Sequence, residues 1–130
     1  MTSKNTDKFT VTVKNRQTEG TDTEYITETG IGSMRVAEGK YYIMYKTETA
    51  TVMIKLEKNT ANVKRNGDTK SEMNYVCGKT TQILYNTPYG KMEMDLFTKS
   101  LKYTFNDLGG VINLRYNLCG IENDMEIVIK

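Results

Sequence analysis

The sequence predicts an all-β fold, a single antiparallel meander barrel of about eight to ten strands. Three observations carry that expectation. Thr is the commonest residue, at 19 of 130, and Val, Ile, Tyr and Phe add 29, whereas Ala appears three times. Those side chains suit a pleated, half-buried surface, and the best helix former is nearly missing. Apolar and polar residues alternate with period two from end to end, with turn signals every 8–12 residues (from roughly position 8 onward). A flat sheet of that many strands would leave two bare edges and one large apolar face. Curling it on itself removes both problems, and a two-sheet sandwich is the rival solution.

The elements follow in order. Phe9, Val11 and Val13 alternate with Lys8, Thr10, Thr12 and Lys14. A long Thr-rich segment over about 22–36 is interrupted by Gly30 and Gly32, which mark a bend or bulge. After Glu38-Gly39, Tyr41, Ile43 and Tyr45 alternate with Tyr42, Met44 and Lys46. Val52, Ile54 and Leu56 form the next apolar face, then Ala61, Val63 and Arg65, ending at Asn66-Gly67. Asn-Gly is a hairpin turn, because both residues tolerate positive φ. Met73 and Tyr75 precede Cys77-Gly78, and Ile83 and Tyr85 precede the turn Thr87-Pro88-Tyr89-Gly90. Met92, Met94 and Leu96 share one face. The spacing of Met92, Leu96, Phe97 and Leu101 also fits one side of a helix, but alternation explains Met92, Met94 and Leu96 better and the segment reads as strand. After a short break come Leu101, Tyr103 and Phe105, then the turn 107–110. Ile112, Leu114, Tyr116 and Leu118 form the next face, and Met125, Ile127 and Ile129 close the chain. Residues 1–130 read as one domain, with the polar segment 1–7 expected to fray.

Composition removes whole classes of chemistry. The net charge is +2, 38% of residues are hydrophobic, and there is no His or Trp. A Ser-His-Asp triad, a Cys-His dyad and any His-ligated zinc site are therefore excluded. The two cysteines, Cys77 and Cys119, cannot supply a four-thiolate site and are expected as free, mostly buried thiols in a reducing cytoplasm. The N-terminus carries no signal-peptide pattern and no apolar stretch is long enough to span a membrane as a helix. No metal, cofactor or membrane partner is expected. Nucleic acid is not expected either, because +2 and a pI near 8.4 make a weak electrostatic footprint.

By mid-chain the pattern resembles the YwiB-like family of small bacterial β-barrel proteins. The resemblance rests on the run Gly39 to Tyr45 with Glu48, on Arg65-Asn66-Gly67, and on Met73 and Tyr75 before Gly78. It continues through Tyr85-Asn86-Thr87-Pro88-Tyr89-Gly90, Met92-Glu93-Met94, Thr98-Lys99-Ser100-Leu101, Gly110, Tyr116 and the closing segment 123–127. It covers roughly 22–130 and is most specific over 85–101. It implies a calycin-like, lipocalin-type barrel and no established activity. The chain lacks the Gly-x-Trp signature of secreted lipocalins.

Two functional classes stay open. The first is a binding module for a small amphipathic or anionic ligand in the barrel interior. Arg65 shares the parity of Ala61 and Val63, so it points inward, where a guanidinium needs a carboxylate or an anionic head. Glu48 and Glu93 are the nominated carboxylates. Tyr45, Tyr85 and Tyr116, with Met92 and Met94, would form the walls, since Met adapts to varied apolar shapes. The second is a structural or interaction module, such as a homodimer formed through a sheet edge or apolar patch, with no ligand. Glu93 beside Asp95, and Thr98-Lys99-Ser100, suggest acid–base or nucleophilic groups. They alternate as a solvated face does and no oxyanion hole accompanies them, so no enzyme is expected.

Overall fold

The computed structural model describes residues 6–68 and 70–130, without the side chains of 6, 7 and 85–87. The strands are β1 (Thr6–Glu19), β2 (Asp22–Ala37), β3 (Lys40–Lys46), β4 (Thr51–Glu57) and β5 (Thr60–Asn66). They continue as β6 (Lys70–Val76), β7 (Thr80–Thr87), β8 (Gly90–Asn106), β9 (Gly109–Leu118) and β10 (Ile121–Ile129). Residues 6 and 7 already belong to β1; the rest of the segment expected to fray lies outside the described residues. Among the described residues there is no helix long and apolar enough to cross a membrane.

All ten strands join one antiparallel sheet in the order β6-β5-β4-β3-β2-β1-β10-β9-β8-β7. Each strand pairs with its chain neighbours, except that β6 and β7 share no ladder. β1 bridges to β10, so the chain ends sit mid-sheet, and β6 and β7 are the edges. The sheet curls until those edges meet. Instead of a full ladder, the seam is tied by Gly78 N donating to Thr98 O at 2.8 Å and Thr98 N donating to Lys79 O at 3.2 Å. Thr81 Oγ1 adds a bond to Asn74 O at 2.6 Å. The result is a nearly closed barrel.

One face of each strand fills the interior. Val11, Ile43, Val52, Ile54, Leu56, Leu96, Ile112, Leu114, Ile127 and Ile129 are all buried there. The break near residue 98 is a bulge within one 17-residue strand: β8 pairs with β9 at Thr98 and again at Ser100, skipping Lys99. One extra residue shifts the inward parity from even (Leu96, Thr98) to odd (Leu101, Tyr103, Phe105).

In a meander, alternate turns share an end. The β1–β2, β3–β4, β5–β6, β7–β8 and β9–β10 turns gather at one mouth, and the others at the opposite one. The far end is plugged by aromatic rings. Tyr41 stacks on Phe105 at 4.5 Å and meets Tyr103 edge-on at 5.7 Å. Tyr103 then donates its hydroxyl to Lys58 O at 3.0 Å, in the β4–β5 turn. The first mouth is built differently. The β1–β2 hairpin overruns the barrel there, because β3 pairs with β2 only from Ile31 onward. The β7–β8 hairpin overruns it too, because β9 pairs with β8 only from Leu96 onward.

Candidate functional site

The first mouth leads into an interior cavity of about 310 Å³. Its walls are apolar: Val52, Ile54, Met73, Ile112, Leu114 and Met125 are among them. Its polar groups converge from four places. Arg65 comes from β5, Glu28 from β2, Tyr45 from β3, and the Tyr75–Tyr116 pair with Asn15 from β6, β9 and β1.

Arg65, Val52, Tyr45 and Gly32 form one inward row across β5, β4, β3 and β2. Gly32 and Gly30 matter because β3 presses on them. A Cβ on Gly32 would lie 1.9 Å from Met44 O and 2.7 Å from Tyr45 Cα, and one on Gly30 would meet the Tyr45 ring at 2.8 Å. The bare backbone lets Tyr45 lie across β2 with its hydroxyl toward Glu28. Glu28 shares the inward parity of Gly30 and Gly32, three residues past Ile31, where the pairing with β3 ends.

The Arg65 guanidinium grips Glu28 in a two-pronged pair, Nη1 to Oε1 at 3.0 Å and Nη2 to Oε2 at 2.6 Å. Tyr45 donates its hydroxyl to the same Oε1 at 3.1 Å. Charged, forked hydrogen bonds of this kind are about twice as strong as neutral ones. The Arg65 hydrogen bond holds the Glu28 carboxyl below its ordinary range against the opposing pull of burial. Burial first, and then the Glu28 charge, push the Tyr45 phenol well up, so it stays a proton donor at any physiological pH.

A pH dependence follows. Glu28 ionises more readily in the folded chain than in the unfolded one. Its contribution to stability is complete above the unfolded carboxylate value, about 4.3. It is lost as pH falls through the depressed folded value. Urea unfolding midpoints at pH 7 and pH 3 should therefore drop more for the wild type than for Glu28→Gln. Equal drops would remove Glu28 from the acid response.

Deeper in, the Tyr75 and Tyr116 rings meet edge-on at 4.9 Å. The Tyr75 hydroxyl faces Met73 Sδ at 3.2 Å as well as Tyr116. Burial raises both phenols. Asn15 donates from Nδ2 to Asn123 Oδ1 at 3.0 Å, while its own Oδ1 is buried and accepts no hydrogen bond. Buried acceptors without donors are rare and costly. This one belongs to a side chain lining the cavity.

Several expected site residues come together here and others do not. Arg65, Tyr45 and Tyr116 line the cavity. The carboxylate on Arg65 is that of Glu28; Glu48 is exposed in the β3–β4 turn and Glu93 is exposed on β8. Met92 and Met94 are not wall residues. Met94 packs against the core, and Met92 is 53% exposed on a part of β8 that lies beyond its pairing with β9. The walls take Met73 and Met125 in their place. Tyr85 and Thr87 are in β7, but their side chains lie outside those described. Gly67 turns β5 into β6, Tyr89 sits in the exposed β7–β8 turn, and Gly90 opens β8. Thr98 is fully buried beside the bulge, its Oγ1 without a hydrogen bond. Cys77 and Cys119 are both free, but Cys119 is exposed rather than buried, because it occupies the tight β9–β10 turn with φ of 51°.

Glu28 is the site residue that sequence reasoning overlooks. A signal for it exists: counting back by twos from Gly32 and Gly30 reaches Glu28. Among the described residues no group of three or more Cys, Asp or Glu side chains is placed to hold a metal ion.

Comparison with known proteins agrees with this architecture. The crystal structure of the ywiB protein from Bacillus subtilis superposes with a TM-score of 0.86, at 23% identity, over 95% of this chain and 91% of that one. At that identity the likeness speaks for the fold, a calycin-like meander barrel. No curated protein matches the chain. Residues 11–126 match the model of a family described as a domain of unknown function, DUF1934, and the chain belongs to that family.

Proposed function

We propose that this chain is a binding module whose barrel cavity takes a small amphipathic molecule, without chemistry performed on it. The observation that carries the reading is the cavity itself: apolar walls around about 310 Å³, with polar groups gathered at the mouth and one unused acceptor deeper in. Small-molecule pockets begin at about that size and share that composition. The apolar body would lie among Val52, Ile54, Ile112 and Leu114. The polar head would sit at Glu28, Arg65 and Tyr45. Because Glu28 already neutralises Arg65, a neutral or zwitterionic head suits the mouth better than a simple anion, which would have to displace the carboxylate.

Native mass spectrometry of the purified chain against its denatured mass is the direct test. Extra mass that disappears on denaturation supports the proposal. A bare dimer favours the second reading, an interaction module that pairs copies of the chain. The neutral probe N-phenyl-1-naphthylamine gives an independent readout. Val63 lines the cavity, so Val63→Phe fills it. Probe affinity should fall roughly tenfold, about 1.4 kcal/mol. Leu108→Phe, in an exposed turn, should leave it unchanged. Equal affinity in both variants would mean that the probe binds elsewhere.

A further inference from the structure

The outer face of β2–β5, on the other side of the barrel wall, carries a second feature. Cross-strand pairing sets its residues in rows. One row runs Ser33, Met44, Met53, Lys64, and the next runs Arg35, Tyr42, Lys55, Asn62. A third holds Ile31, Lys46, Thr51 and Asn66, and Lys70 of β6 continues it. The hollow between these side chains measures about 550 Å³ and is lined by Arg35, Tyr42, Met44, Met53, Lys55 and Lys64 among others.

Three properties of the face point the same way. First, it is cationic: Arg35, Lys46, Lys55, Lys64 and Lys70 lie on it, and none of them forms an ion pair among the described residues. Glu72 is the acidic side chain beside Lys64. The acidic cluster Glu19, Asp22 and Glu24 sits away at the β1–β2 tip, so a net charge of +2 conceals this segregation. Second, Lys55, Lys64 and Lys70 lie on a diagonal. Each step crosses one strand and two residues, which sets successive positions about 8 Å apart. Third, an apolar and aromatic platform lies beside that diagonal. Met44 and Met53 are 39% and 48% exposed and pair with each other across β3 and β4. The Arg35 guanidinium lies over the Tyr42 ring, 5.1 Å from its centroid.

We propose that this face binds single-stranded nucleic acid, with the Lys55–Lys64–Lys70 diagonal tracking phosphates and the Arg35–Tyr42 pair and the two methionines receiving bases. Sequence-tolerant single-strand binding needs that combination: a cationic track and flat polarizable side chains next to it. An acidic protein surface would use the cations but would leave the platform without a role.

The test is fluorescence anisotropy of labelled rU20 and dT20 with the full chain. Three phosphate contacts on a single strand give a log–log salt slope near −2, so affinity should fall roughly 20-fold from 50 to 200 mM KCl. In Lys55→Gln/Lys64→Gln the same salt change should cost only about threefold. Tyr42→Ala should weaken binding at least about fivefold through lost stacking. Lys99→Gln/Lys102→Gln removes the same charge from β8, on the other side of the barrel, and should leave the affinity and slope as they are. Tighter rU20 than dT20 binding would identify RNA as the preferred source of the strand. The proposal is overturned if neither oligonucleotide binds at tens of micromolar protein, or if the β8 variant loses as much as the face variant. Displacement by poly-L-glutamate at equal charge concentration would also overturn it, in favour of an acidic polypeptide.

Discussion

Gly32→Ala should destabilise the fold by about 3 kcal/mol or more, at the upper edge of single-substitution effects. The new methyl would meet the Met44 carbonyl oxygen at 1.9 Å and Tyr45 Cα at 2.7 Å, both on the backbone of β3. A flexible side chain could swing aside; a strand cannot without giving up its ladder to β2. Breaking that pairing also moves Tyr45 off Glu28, so structure and site should fail together. Gly39→Ala is the comparison. Gly39 has φ of 77° with open space around its missing Cβ, so alanine there carries only the left-handed backbone cost, about 1 kcal/mol. Thermal melts should show a drop of roughly 10 °C for Gly32→Ala and a few degrees for Gly39→Ala. Similar drops would mean that β2 and β3 are not held together by this close approach.

Arg65→Ala should cost about 2 kcal/mol, more than the worth of the pair it breaks. Removing one partner of a fully buried ion pair costs about 3–5 kcal/mol, because the other charge is left stranded. Here the Arg65 and Glu28 side chains keep 37% and 25% exposure, so water recovers part of that. Replacing both, as Arg65→Met/Glu28→Leu, leaves no stranded charge and should be near neutral. Urea titrations at pH 7 of the two single variants and the double one form a cycle that isolates the coupling. A double variant as unstable as Arg65→Ala would show that the loss comes from packing of the arginine stem. The cycle also bears on ligand binding. If the mouth receives a neutral polar head, the double variant should keep its stability and lose the extra mass seen in native spectra.

Because successive side chains in a strand point to opposite faces whatever the partner strand, alternation along the chain was enough to mark the strands, except that it divided β8 near residue 98. The same local rule placed Arg65, Tyr45 and Tyr116 inside and Met44 and Met53 outside. It also assigned Met92 to an inward face, which is right in parity. Whether inward means buried depends on a neighbouring strand, and near Met92 the hairpin has outrun β9. The bulge at Lys99 escapes periodicity for a related reason: an extra residue is visible only against the partner strand that fails to match it.

Long-range register decided the rest. Glu28 and Arg65 are 37 residues apart, and nothing in either local segment says that strand register and the curl of the sheet bring them within hydrogen-bonding distance. The two nominated carboxylates, Glu48 in the β3–β4 turn and Glu93 on β8, face solvent. The cationic face is likewise invisible to a summed charge, since it is assembled from single lysines on β3, β4, β5 and β6 that only strand pairing sets side by side. The sequence by itself determined the all-β class, a meander of about eight to ten strands and most of the inward and outward choices. The tertiary structure decided which inward groups meet, how much space they leave and where the charges gather, because distances between strands follow from the curl of the whole sheet and not from any one strand's pattern.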